Sequence, residues 1–156
     1  MACMAAVRGK SVMMRIHLGL AAALLGLWGL NVSAVAGDVA AGVWRLENGK
    51  VTVRVSPCGG NLCGKVVALK KPRDDKGRLR RDKENPNAAL RSRPVVGLTI
   101  LSNMKPRSDG VWSGTIYNPD DGNTYRSEMK LQNANTMKVE GCLAVFCKSM
   151  KFVRIQ

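Results

Sequence analysis

The feature that most constrains this chain is a two-residue alternation of apolar and polar side chains that recurs along most of its length and breaks at short intervals on turn residues. It is clearest where Tyr125, Ser127, Met129 and Leu131 fall on one face and Thr124, Arg126, Glu128 and Lys130 on the other. That is the pattern of an antiparallel strand with one face buried and one in water. Trp44 and Leu46 alternate with Arg45 and Glu47, and Val51, Val53 and Val55 alternate with Thr52, Arg54 and Ser56. Asn48 and Gly49 lie between these runs, and Asn-Gly suits a tight hairpin because both central positions need positive φ.

The same grammar continues downstream. Pro57 to Asn61 predicts a turn, Leu62 to Leu69 a strand apolar on both faces, and Val95 to Met104 a buried strand. Lys105 to Gly110 predicts a turn leading into a strand over Val111 to Tyr117, and Asn118 to Gly122 a further turn. The oxygens of Asp120 and Asp121 lack the ligand ladder of a calcium loop. After Asn133 to Asn135 come a strand through Met137 and Val139 and a terminal run with Met150, Phe152 and Arg154 on one face. No segment of useful length has a helical period, so the chain is all-β. Sequential hairpins favour a single small up-and-down antiparallel β-barrel of about eight strands, whose closure removes exposed sheet edges.

Residues 1–36 have the form of a signal peptide, leaving 37–156 as one barrel domain. Arg8, Lys10 and Arg15 precede an apolar run from Leu18 to Leu30, shorter than the roughly 20 residues that span a bilayer. Small residues at Ala34 and Ala36 place cleavage near Ala36, giving a periplasmic or secreted product. Its removal leaves 22 basic against 11 acidic residues and takes away His17, the only histidine. Without an imidazole, histidine-dependent triads and histidine metal sites are closed to the mature protein. No catalytic residue, metal site or cofactor is expected.

Four cysteines remain, Cys58, Cys63, Cys142 and Cys147, an even number that in an exported chain suggests two disulfides. Three connectivities are open, and the local pairs Cys58 with Cys63 and Cys142 with Cys147 are favoured because each flanks a hairpin turn. A four-cysteine zinc site is the rival and usually uses shorter spacing.

Between Lys70 and Arg93 the alternation stops, and ten basic residues face only Asp74, Asp75, Asp82 and Glu84. The bland reading is a solvated charged loop. The functional reading is an anion patch carried by Lys76, Arg78, Arg80, Arg81, Arg91 and Arg93. Arg91 and Arg93 could equally pin the loop by pairing with carboxylates. Leu143 to Phe146, between the last two cysteines, is wholly apolar, and simple inward packing is expected because an exposed apolar tip is a liability.

An ordered set of motifs then bears on family. Cys58-Gly59-Gly60-Asn61-Leu62-Cys63-Gly64, Asn85-Pro86, Arg91-Ser92-Arg93-Pro94-Val95-Val96-Gly97, Trp112 to Pro119, Gly122, Tyr125, Gly141, Cys142 and Cys147 together resemble a secreted bacterial family catalogued as a domain of unknown function. The resemblance covers nearly all the mature chain. It implies an exported protein with a lipocalin-like, or calycin, barrel, and it implies no activity. In calycins a Gly, any residue, Trp motif opens the first strand, and a terminal arginine packs on the tryptophan. Gly42, Trp44 and Arg154 match that pattern as a barrel closure, with Phe152 where relatives often carry tryptophan. The alternation also turns Arg154 inward, where it needs a partner, and Trp44 can supply a cation-π contact.

The first functional expectation is a periplasmic binding protein whose barrel holds a small apolar or amphipathic molecule, with the basic loop receiving an anionic head group. The second is an envelope module that meets an anionic lipid, glycan or protein through its basic loop, with a membrane surface among its partners. Enzymatic use of Asp82, Glu84, Asp120 or Asp121 ranks third, since all four lie in turn-like, surface-type sequence. Nucleic acid is not expected as a partner, because export removes it and few aromatics are available for stacking.

Overall fold

A computed structural model describes residues 39–108 and 110–156, so the expected signal peptide lies outside the described residues. Eight strands close an antiparallel barrel in sequence order: β1 Gly42–Leu46, β2 Val51–Cys58, β3 Asn61–Leu69, β4 Thr99–Ser108, β5 Val111–Asn118, β6 Asn123–Asn133, β7 Thr136–Leu143 and β8 Phe146–Arg154. The predicted all-β, up-and-down barrel is the fold observed. Closure is made by β1 against β8, where Trp44 pairs with Arg154 and Leu46 with Phe152.

Period-two patterning decides which side chains fill the interior. Trp44, Val53, Val55, Leu62, Val66, Met104, Trp112, Met129, Met137 and Val139 are all almost fully buried, and Phe152 joins them. The two tryptophans and three methionines are among the largest of these side chains; a large aromatic buries about 150–250 Å². Methionine adapts to the irregular gaps left between them.

Two boundaries differ from expectation. The strand expected to start at Val95 starts at Thr99; Val95 and Leu98 are buried all the same, within the connection that precedes it. The turn expected from Lys105 is part of β4, which runs through Pro106 to Ser108. Proline is tolerated there because the β4–β5 register shifts beside it, and a bulge does not call on its missing N–H.

An up-and-down barrel sorts its connections by end. The β1–β2, β3–β4, β5–β6 and β7–β8 connections share one end, hereafter the loop end. The start of β1, the end of β8 and the β2–β3, β4–β5 and β6–β7 turns share the other, the terminal end. The long basic segment is the β3–β4 connection, so it sits opposite the Trp44–Arg154 closure.

Candidate functional site

At the terminal end, Trp44 and Arg154 form a stacked pair with the guanidinium carbon 4.2 Å from the ring centroid. The indole N–H donates to the Ala40 carbonyl at 2.9 Å. Arg154 donates to the carbonyls of Ala134, Ala41 and Val39 at 2.8, 2.6 and 2.7 Å, tying the N-terminal segment and the β6–β7 turn to β8. Gly42 adopts φ +145°, and a Cβ there would meet Arg154 Nη1 at 2.5 Å and the Gln156 carbonyl at 2.6 Å. Each side-chain nitrogen of the pair donates to a backbone carbonyl, which makes this end a seal.

The cysteines divide between the ends. A disulfide joins Cys58 to Cys63 across the β2–β3 turn at the terminal end, and another joins Cys142 to Cys147 across paired positions of β7 and β8 at the loop end.

The basic connection at the loop end is folded on itself. Bridges join Arg73 with Leu79 and Arg81 with Pro94, and a 3-10 turn spans Ala88–Leu90, capped by the Asn87 side chain. Its anchor is Asp82. The sequence places this residue in a surface-type run, but it is 0% exposed, a correction to the expectation. Its carboxylate accepts from Tyr117 Oη at 2.5 Å, Asn85 Nδ2 at 2.8 Å and Arg93 Nε at 2.9 Å, and Arg93 Nη2 pairs with it at 2.7 Å. These contacts are the reason burial is tolerated, since a buried charge needs a partner and filled lone pairs. Burial opposes ionisation of Asp82, but donation from Tyr117, Arg93 and Asn85 together holds its carboxyl below the ordinary value. For Tyr117, burial and donation to Asp82 both push the phenol above its ordinary value.

The brace extends outward. Arg91 Nε donates to the Asn85 carbonyl at 2.7 Å, and Asn85 Nδ2 also reaches Tyr117 Oη at 3.0 Å. On the neighbouring β5–β6 turn, Tyr125 and Asn118 both donate to Asp121 Oδ2 at 2.7 Å. Gly122, at φ +72°, lies so close to the Glu84 carbonyl that a Cβ would collide with it. The β3–β4 connection is thus seated on the β5–β6 turn.

The six residues of the predicted anion patch therefore separate into two groups. Arg91 and Arg93 are bracing groups. Lys76, Arg78, Arg80 and Arg81 stay exposed. Arg78 pairs with Asp74 at 2.9 Å, Arg80 donates to the Lys71 carbonyl, and Arg81 donates to the Ser92 carbonyl, so these arginines are oriented while still open to solvent. Sequence reasoning missed Asp82, Asn85 and Tyr117 as a unit. The available signal was two acids, Asp82 and Glu84, and one Asn-Pro enclosed by arginines.

The β7–β8 tip also departs from expectation. Leu143, Val145 and Phe146 are 68, 85 and 80% exposed where inward packing was expected. The reason is register: Leu143 pairs with Phe146 as the last rung of the hairpin, leaving a two-residue turn beyond the barrel rim. Two depressions open on the outside of the molecule, one along Arg93 to Thr99 and one on the wall formed by β4 to β6, beside Lys105, Ser113, Arg126 and Glu128.

The model of a family described as an uncharacterised protein conserved in bacteria, DUF2147, matches residues 42–154. Comparison with curated proteins finds no match. Among solved structures, the chain is similar to HP1028 from the human pathogen Helicobacter pylori, described as belonging to the lipocalin family. The TM-score is 0.63 at 22% identity, over 74% of this chain and 82% of that one. A redesigned β-barrel gives a TM-score of 0.44 at 14% identity, over 78% and 95% of the two chains.

Proposed function

Because this chain belongs to the bacterial DUF2147 family and its barrel is lipocalin-like, we propose a role read from the two ends of that barrel: an exported module that binds an anionic component of the cell envelope through its loop end. The observation that carries the reading is a contrast. Bulky side chains fill the interior, while Lys76, Arg78, Arg80 and Arg81 are held outside it on a connection anchored by a buried carboxylate. Pre-ordering these cations lowers the entropy lost when an anion binds. Two disulfides, one at each end, support an oxidising compartment.

Binding of the protein to dextran sulfate, followed against NaCl concentration, tests this. Binding should weaken steeply as salt rises through the physiological range and be lost when Lys76, Arg78, Arg80 and Arg81 are changed together to Gln. Salt-independent binding, or binding untouched by the four substitutions, refutes the reading.

A second reading, a small ligand inside the barrel, is favoured by one specific observation. Trp112 Nε1 and Ser127 Oγ are buried with no hydrogen-bond partner among the described residues, and both lie on the inner face of adjacent strands. A ligand or water with an acceptor between them would satisfy the indole donor. Native mass spectrometry of protein recovered from the periplasm would show the added mass.

A further inference from the structure

The β7–β8 tip is the one connection whose chemistry contradicts its location. Other turns at the loop end use turn-forming polar residues, Asn48-Gly49 between β1 and β2 and Asn118 to Gly122 between β5 and β6. Here the chain presents Leu143, Ala144, Val145 and Phe146, with three large apolar side chains mostly in water. Ala144 adopts φ +51°, a conformation unfavourable for a residue with a Cβ, where asparagine or glycine would be easier. The Cys142–Cys147 disulfide clamps the rung directly behind this turn, and Arg126 Nη2 donates to the Ala144 carbonyl at 2.9 Å. The tip is therefore a preordered projection. A contiguous exposed apolar patch of this kind marks an interaction surface.

Charge identifies the partner. From Gly141 to Lys148 there is no acidic residue, and Arg126 and Lys148 flank the tip. The β3–β4 connection, with its exposed cations and the half-exposed Leu79, Leu90 and Val96, leaves the barrel at the same end. Glu47, Asp120 and Asp121 lie at the same end but are outnumbered by the cations of the β3–β4 connection, Arg126 and Lys148. Apolar side chains projecting beyond a rim of net positive charge match the interface of an anionic bilayer, where the former enter the acyl boundary and the latter meet the headgroups.

We propose that the Leu143–Phe146 tip inserts into the anionic leaflet of a membrane and orients the barrel with its loop end down. This deepens the anionic-surface reading and rests on it.

The test uses exported protein, its processing checked by N-terminal sequencing, with vesicles of phosphatidylcholine and phosphatidylglycerol at 3:1 and, separately, dextran sulfate. Val145→Ser together with Phe146→Ser should lower vesicle partition by about 30-fold through lost apolar burial. The same variant should bind dextran sulfate as the unaltered protein does. Both residues are exposed, so folding should be unaffected, with an unchanged thermal midpoint as the control. In a second arm, Val145→Trp adds an exposed indole to a protein whose Trp44 and Trp112 are buried, and its emission should shift to the blue on vesicles. Unchanged partition of the serine variant with unmoved tryptophan emission overturns the insertion while leaving polyanion binding standing. Failure of the unaltered protein to bind either probe overturns both readings. A dimer in sedimentation that the serine variant dissolves also overturns the proposal, by giving the tip a second copy of the chain as its partner.

Discussion

Replacing Asp82 with alanine should release the β3–β4 connection from the barrel. The carboxylate accepts three hydrogen bonds, from Tyr117, Asn85 and Arg93 Nε, and Arg93 Nη2 adds an ion-pair contact. Without it, the Tyr117 hydroxyl and the Asn85 amide lose a buried acceptor, at about 1–3 kcal/mol each. Arg93 contributes less, because its side chain is 39% exposed and water replaces much of what it loses. A total of about 3 kcal/mol corresponds to a roughly 100-fold larger open population of the connection. The connection carries its own assay, since it is rich in trypsin sites. Cleavage after Arg81 and Lys83, next to the anchor, should accelerate by about 100-fold where opening is fast relative to cleavage. Asp75→Ala, which removes an exposed carboxylate of the same connection that has no hydrogen-bond or ion-pair partner among the described residues, serves as the control. If Asp82→Ala changes cleavage by less than about threefold, the range of an ordinary surface substitution, the buried carboxylate is not the anchor.

Gly122→Ala should reproduce that accelerated cleavage without altering a charge, because its Cβ collides with the Glu84 carbonyl on the connection; overpacking of this kind costs typically about 1–3 kcal/mol. Normal protease resistance in Gly122→Ala would mean that the connection is not seated on the β5–β6 turn. The brace should also depend on pH in a defined direction. Asp82 is held below its ordinary value, so its contribution is present above the unfolded carboxyl pKa of about 4 and is lost as pH falls through the depressed folded value. Tyr117 is raised, so its contribution is present below about 10 and fades as pH rises through the folded value. Thermal midpoints of the unaltered protein and Asp82→Asn, followed from pH 7 downward, should therefore converge only below about pH 4; a constant gap would refute the assignment.

The barrel was legible because its information is local. A strand with one wet face writes its fold in every second residue, and Tyr125 to Leu131 can be read without knowing what lies across from it. The order of strands followed from short turns, and the terminal stacking of Arg154 on Trp44 from its place in the alternation together with the family resemblance. Asp82 was illegible for the opposite reason. Its partner Tyr117 is 35 residues away on β5, and Arg93 is 11 residues away within the same connection. Nothing local separates an aspartate that anchors from one that is solvated, because the distinction lies in which hydroxyl reaches it. The Leu143–Phe146 tip misled for a third reason. Apolar composition states a preference for burial, whereas exposure here is imposed by the pairing of Leu143 with Phe146, which leaves no barrel wall to pack against.

These facts also explain how one small barrel can keep a seal and a working surface apart. Odd-to-even connections leave one end of an up-and-down barrel and even-to-odd connections leave the other, so lengthening the β3–β4 connection adds material at a single end. That addition must be held down, because a free loop with this much positive charge repels itself and gains entropy by detaching. One buried carboxylate answers both problems: it neutralises Arg93 at the base, and it draws Tyr117 of β5 into the same network. The cations that remain outside are the ones the brace does not use. The binding proposed for the loop end can therefore change through Lys76, Arg78, Arg80 and Arg81 without disturbing Trp44, Arg154 or the packed interior, and the four Gln substitutions should leave the thermal midpoint close to that of the unaltered protein while abolishing polyanion binding.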